Sequence, residues 1–174
     1  CLVTQVKSIE NDGYESVQVG YKDSKEKNLN KPLMGHFNKS SVKPMRVLAE
    51  FQKVPNFEYK PGQIFNVALF KEGDYVTVSG RSKGRGFSGT VKKYSFSTQR
   101  KTHGQGDTYR HVGSIGNASD PSRVFPGKKM PGRFGNKKVS VKSLEVMMVN
   151  EENNQILVKG SIPGATNGIV FITR

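Results

Sequence analysis

Cysteine occurs once in these 174 residues, as Cys1. That excludes a disulfide framework and a cysteine-based metal site, and it fits a reducing compartment. The N-x-S matches at Asn38 and Asn117 are accordingly read as chance. Long apolar runs are missing. No stretch approaches the roughly 18 apolar residues of a spanning helix, and no apolar block follows a basic start as in a signal peptide. Histidine is scarce, at His36, His103 and His111. No G-x-S-x-G elbow, H-E-x-x-H pair or P-loop occurs, so those enzyme chemistries have no foothold. The opening Cys1-Leu2-Val3-Thr4 reads as the middle of a strand, which leads us to expect that the natural beginning lies upstream.

The most informative scarcity is of acid. The chain carries 28 Lys and Arg against 14 Asp and Glu, a net charge of +14 with a pI near 9.9. Residues 81–142 hold 15 of those cations and only two acids, Asp107 and Asp120, a net of +13. The other 112 residues are nearly neutral, at +1. A field of this sign points to a polyanion as partner, nucleic acid or an anionic membrane.

The neutral part reads as β. Val3-Thr4-Gln5-Val6-Lys7 alternates, Asn11-Asp12-Gly13 carries turn chemistry, and Ser16-Val17-Gln18-Val19 alternates again, a hairpin signal. Further strands are expected at 46–53, 64–70, 75–79, 139–150, 156–159 and 169–173, with a polar turn at 151–155. Short strands at this spacing argue for a barrel or sandwich. One short helix is expected at 32–39, where Pro32 suits the first turn and Leu33, Met34 and Phe37 share a face; His36 is read as a satisfied residue of that helix. The expected organisation is a β body at 1–80 and 137–174, large enough for a stable core, interrupted by a basic extension at 81–136.

The extension has no sustained period of 2 or 3.6, and 11 of the chain's 19 glycines lie from Gly80 to Gly135. Alone it cannot bury enough apolar surface to offset its ordering entropy, so it is expected to take shape only against a polyanion. Glycine lets backbone approach phosphates, and Lys and Arg neutralise them with release of counterions. The expected RNA contacts enter in clusters. Arg81, Lys83 and Arg85 come first, followed by Lys92 and Lys93. Arg100, Lys101 and His103 form the next group, with Arg110 and His111 after them. The return leg carries Arg123, Lys128, Lys129, Arg133, Lys137 and Lys138. Phe87, Tyr94, Phe96, Tyr109, Phe125 and Phe134 recur among them, and aromatic faces interleaved with cations can stack on unpaired bases. Folded out and back from Tyr94 to Met130, each leg would reach at most roughly 60 Å.

Other motifs weigh less. Gly84-Arg85-Gly86-Phe87-Ser88-Gly89 spells G-x-G-x-x-G, but a dinucleotide site needs a helix next and then a parallel strand ending in an acid. A glycine-rich turn near phosphates is the preferred reading. No Cys or carboxylate stands at ligand spacing from His103 or His111, so no metal is expected. Asp107 and Asp120 make a poor acid–base pair and are read as paired with arginine or solvated. An enzyme on a nucleotide-binding barrel would need carboxylates or histidines in a concave pocket. A free DNA-binding or membrane-surface protein would need a recognition helix or a basic amphipathic one.

Several collinear stretches, "VTQVKSIENDGY", "KPLMGHFNK", "VTVSGRSKGRGFSGTVKKYSF", "THGQG", "GSIGNASDPSRVFPGKKMPGRFGN" and "ILVKGSIPGATNG", resemble the bacterial-type large-subunit ribosomal protein L-three family. The resemblance runs from Leu2 almost to the end. It implies a mainly β fold, a translation-factor-type barrel with a long basic central extension and little helix. It implies a non-enzymatic structural constituent of the large subunit, without cofactor, metal, membrane or small-molecule substrate. Its implied partners are large-subunit rRNA, bound near its 3′ end early in assembly, and neighbouring large-subunit proteins. The implied setting is a ribosome in the cytoplasm, or in an organelle. The extension would carry Asn117, Ala118, Ser119 and Asp120 at its tip, toward the peptidyl transferase centre. Two departures stand out. Family members start with a further pair of strands before the position of Cys1, and many carry a methylated glutamine where this chain has Ser119. Mass spectrometry of the ribosome-bound protein should accordingly find no methylated residue from Asn117 to Arg123.

Overall fold

The computed structural model describes residues 1–55 and 57–174. The chain runs β1 (Leu2–Lys7), α1 (Ile9–Asp12), β2 (Ser16–Asp23), α2 (Lys31–Lys39), β3 (Met45–Gln52), β4 (Tyr75–Arg81), β5 (Phe87–Ser88), α3 (Thr90–Tyr94), β6 (Gly132–Arg133), β7 (Lys138–Asn150), β8 (Gln155–Val158) and β9 (Val170–Thr173). Single 3₁₀ turns occupy Glu26–Asn28 and Val67–Leu69. The fold is mainly β with little helix. Compactness divides it into two units, Cys1–Asp74 with Val146–Val158, and Tyr75–Glu145 with Lys159–Arg174. The division by charge is a different partition, and residues 81–136 fall wholly inside the second unit.

In the first unit β1, β2 and β3 form an antiparallel sheet in that order. Val3 and Val17 of these two runs are buried, but so are the adjacent Thr4 and Ser16, so burial does not follow a strict alternation along either strand. Gly13 closes the turn between them at φ +78, a left-handed conformation open to glycine. The turn is wider than a two-residue hairpin because α1 is wound into it. Thr4 is the extra residue of a bulge in the β1–β2 ladder. Its buried hydroxyl donates to the side-chain oxygen of Gln18 at 2.9 Å, and His36 Nε2 reaches the same oxygen at 2.7 Å. His36 is thereby satisfied, as expected. The helix α2 begins with Pro in its first turn and buries Phe37 to 1 % exposure, a burial that contributes about 1.5–3 kcal/mol. Leu33 of the expected apolar face stays exposed. The second half of β7 pairs with β8 across the polar turn 151–154.

The expected strand at 64–70 does not form. Gly62 N–H donates to Val3 O at 2.8 Å, Val3 N–H to Gln63 O at 2.9 Å and Phe65 N–H to Cys1 O at 2.8 Å, so the chain covers the free edge of β1 only as far as residue 65. Beyond it no second ladder is on offer, and the 3₁₀ turn Val67–Leu69 takes over. The run is apolar without alternating, which a buried strand and a coiled edge segment share.

In the second unit β4 lies between the first half of β7 and β9, antiparallel to both. Val76, Val78 and Leu144 form its apolar centre. The expected strands at 75–79, 139–150 and 169–173 appear as β4, β7 and β9, with ends moved by one or two residues.

A polar cluster ties the first sheet together at its surface. Lys7 Nζ donates to Tyr14 Oη and stands 2.9 Å from Glu50 Oε1, while Tyr14 Oη donates to Glu50 Oε2 at 2.8 Å. Hydrogen bonds from Lys7 and Tyr14 hold the Glu50 carboxyl below its ordinary range. A depressed carboxyl stabilises the fold above its unfolded pKa and loses that contribution as pH falls through the lower folded value. Because the cluster is solvent-screened, Glu50→Gln should lower Tm by only about 1–3 °C at neutral pH. In thermal melts that difference should close as pH falls below about 4.

Candidate nucleic-acid interface

The cationic segment leaves β4 and returns into β7, and its two legs are joined by a neck. Ser82 N–H donates to Lys137 O at 2.9 Å, Arg85 N–H to Phe134 O at 2.9 Å and Phe134 N–H to Gly86 O at 2.9 Å. β5 and β6 then pair Phe87 with Arg133 and Ser88 with Gly132. The Ser82 side chain accepts from Lys137 N–H at 3.2 Å, and Arg81 Nε donates to Asn136 O at 3.3 Å. Gly135 makes this closure possible. Its φ is +74, and a Cβ there would lie 2.1 Å from Lys83 O.

Beyond the neck, residues 95–131 contain neither helix nor strand, as the absence of period predicts. The outbound leg does begin with a helix, α3, which the sequence reading missed. It directly follows the G-x-G-x-x-G, but it has five residues, and the strand beside it is antiparallel. The dinucleotide architecture is therefore not built.

All sixteen expected contact residues lie at the surface. Lys93 is half-buried and the other fifteen are exposed. Ion pairs join Lys7 to Glu50, Lys53 to Glu15 and Lys159 to Glu145. None involves a cation between 81 and 142, and neither Asp107 nor Asp120 takes part. Both acids are exposed at the surface.

Five of these cations sit on aromatic rings. Arg85 lies over Phe134 at 5.2 Å, Lys101 over Tyr109 at 5.1 Å and Arg123 over Phe125 at 5.5 Å. Tyr94 carries two, Lys93 at 5.0 Å and Lys129 at 5.7 Å, one from each leg. Such contacts hold a charge in place at a cost of order 1 kcal/mol to break and leave its outer side open. A hydrogen bond with Thr98, then the nearby Lys101, hold the Tyr109 phenol below its ordinary pKa. The aromatics expected to stack on bases thus divide. Phe87 at 77 % and Phe125 at 58 % exposure present open rings, whereas Tyr94, Phe96, Tyr109 and Phe134 are half-buried.

His103 is exposed in a turn, and His111 lines a cleft of about 520 Å³ with Gly89, Thr90, Gln99, Thr108 and Arg110. This cleft has no sequence signal, because its residues are dispersed and follow no period. Among the described residues no group of three or more His, Cys, Asp or Glu could hold a metal. No helix among them is long and apolar enough to cross a membrane. The tip residues Asn117, Ala118, Ser119 and Asp120 are exposed, with the Ser122 hydroxyl donating to Ser119 O.

A family model described as Ribosomal protein L3 matches residues 54–155. Over 172 residues the chain is 46% identical to the large ribosomal subunit protein uL3 of Thermotoga petrophila, covering 99% of this chain and 82% of that relative. The chain belongs to the ribosomal protein L3 family. The uL3 proteins of Petrotoga mobilis and Chlorobium phaeobacteroides are also 46% identical, over 99% of this chain and 80% and 83% of theirs. The L3 family match takes in the neck, both legs and every expected contact residue.

Closure of the neck should fail in Gly135→Val, where a branched side chain meets both a forbidden φ and the Lys83 carbonyl. A loss of roughly 2 kcal/mol or more would speed hydrogen exchange at the Arg85 and Phe134 amides about 30-fold. Gly89→Ala, whose added Cβ meets nothing within 4 Å, should leave those amides unchanged.

Proposed function

We propose that this protein is a structural, non-enzymatic constituent of the large ribosomal subunit that binds its rRNA through residues 81–142. The observation that carries this reading is the unpaired charge: 15 exposed or half-buried cations, none in an ion pair. Like charges held this close repel across the roughly 8 Å Debye length of physiological salt, and phosphates are the partner that offsets the repulsion. Membership of the L3 family supplies the context, and the relatives it matches are named as large-subunit proteins. In the finer reading the β body, 1–80 and 137–174, is of the translation-factor barrel type and is seated on 23S-type rRNA near its 3′ end, early in assembly and beside other large-subunit proteins. The arm threads inward, with 117–120 toward the peptidyl transferase centre. Within 95–131 the backbone bonds are few. Gln99 to Tyr109, Gln105 to Thr102, His111 to Thr108 and Lys128 to Phe125 are those among the described residues outside regular elements. Many of the remaining amides are therefore free to meet RNA or water.

Binding of the protein to large-subunit RNA should weaken by about 10³–10⁵ between 50 and 200 mM salt if roughly 6–10 phosphates are neutralised. Lys137→Ala with Lys138→Ala should reduce the slope of log K against log salt by about 1.4–1.8. A flat profile would overturn the phosphate reading. Sedimentation apart from the large subunit in gradients would favour a free nucleic-acid-binding protein instead.

A further inference from the structure

The cleft in the arm has a polarity that the charge reading leaves unused. Thr108 Oγ1 donates to Gln105 Oε1 at 2.7 Å, and Gln105 Nε2 donates to Gln99 Oε1 at 2.9 Å. This relay fixes two of the cleft's lining side chains. Gln99 keeps its amide hydrogens and Thr108 keeps its oxygen lone pairs, one donor and one acceptor group on a common scaffold. The Gln99 main-chain N–H donates to Tyr109 O at 3.1 Å, which ties the scaffold's two ends together. Thr90 lines the same cleft. It is 1 % exposed, and its hydroxyl is the one buried side-chain polar atom among the described residues with no partner in the protein. Buried hydroxyls rarely go unpaired, and one that does asks for a ligand or water to complete it. Val112 and Pro131 add apolar surface, Arg110 and His111 add exposed cationic or donor groups, and no carboxylate lines the cleft.

From this we propose that the cleft holds a single unpaired nucleotide of the bound RNA. The inference rests on the proposed function of the arm and deepens it. A donor beside an acceptor matches the hydrogen-bonding edge of a base, and that edge is open only when the base is unpaired. The apolar lining suits the face of a base, and Arg110 and His111 suit its phosphate. A volume of about 520 Å³ lies in the range of small-ligand sites and is far too small for a duplex. The two kinds of contact have separate roles. Exposed lysines and arginines bind any RNA backbone, whereas the Gln99–Gln105–Thr108 relay selects a base displaced from its helix.

The test uses the full chain and hairpin RNAs of one length, fully paired or carrying one unpaired nucleotide in the stem, at fixed moderate salt. The hairpin with the unpaired nucleotide should bind about tenfold more tightly. With 2-aminopurine at that position, fluorescence should change on binding. Gln99→Leu and, separately, Thr108→Val should each reduce this preference while leaving affinity for the paired hairpin and its salt slope unchanged, which also shows that the variants fold. Equal wild-type affinity for the two hairpins would overturn the cleft proposal and leave the arm reading intact, as would variants that weaken both hairpins alike. Absence of binding to either hairpin even at low salt would overturn the reading of the arm itself, and this proposal with it.

Discussion

The cationic segment is held at its root by a handful of main-chain hydrogen bonds. The bonds from Ser82 to Lys137, from Arg85 to Phe134 and from Phe134 to Gly86 bring together residues about fifty positions apart. Without them the two legs would be tethered only by β4 and β7. With them, Arg81, Arg85, Arg133 and Lys137 stand on one short ladder, and the charges beyond inherit a fixed starting point. The neck depends in turn on Gly135, where any side chain would meet the Lys83 carbonyl. Glycine's abundance in this region therefore has at least one structural meaning besides phosphate approach.

Charge and packing divide the labour. The apolar centre of the second unit is small, with Val76, Val78 and Leu144 its buried hydrophobic side chains. It positions β4 and β7 and goes no further. Past Arg81 the side chains that organise the chain are aromatic rings beneath cations, so the segment is ordered by groups whose other sides remain open. Tyr94 shows this best, since lysines from the outbound and returning legs share its ring. Two like charges brought to one ring are tolerable in water and more so beside an anion.

What could be read from sequence follows from what each signal depends on. β1, β2 and α2 were legible because a strand-like run and a proline-started turn are local signals, and Val3, Val17 and Phe37 are buried, although Thr4 and Ser16 are buried beside the two valines. The stretch at 64–70 misled because apolar content alone does not create a partner strand. α1 and α3 are too short to show a period. Every expected contact residue proved surface-accessible, since a cation without nearby acids has few alternatives to water. The neck was invisible because main-chain bonds leave no trace in side-chain pattern. So was the cleft, whose glutamines and threonines are ordinary loop residues until folding aligns them.

The antiparallel arrangement around β4 also dictates an order of events at birth. Its partners lie far downstream: Val76 pairs with Leu144, and Thr77 with Thr173. As the chain is synthesised, the whole cationic excursion emerges before β4 has any neighbour, and the second neighbour arrives nearly a hundred residues late. At about 5–20 residues per second, that is a delay of roughly 5–20 s. During that interval the arm is already available to anions while its own foundation is still an open strand.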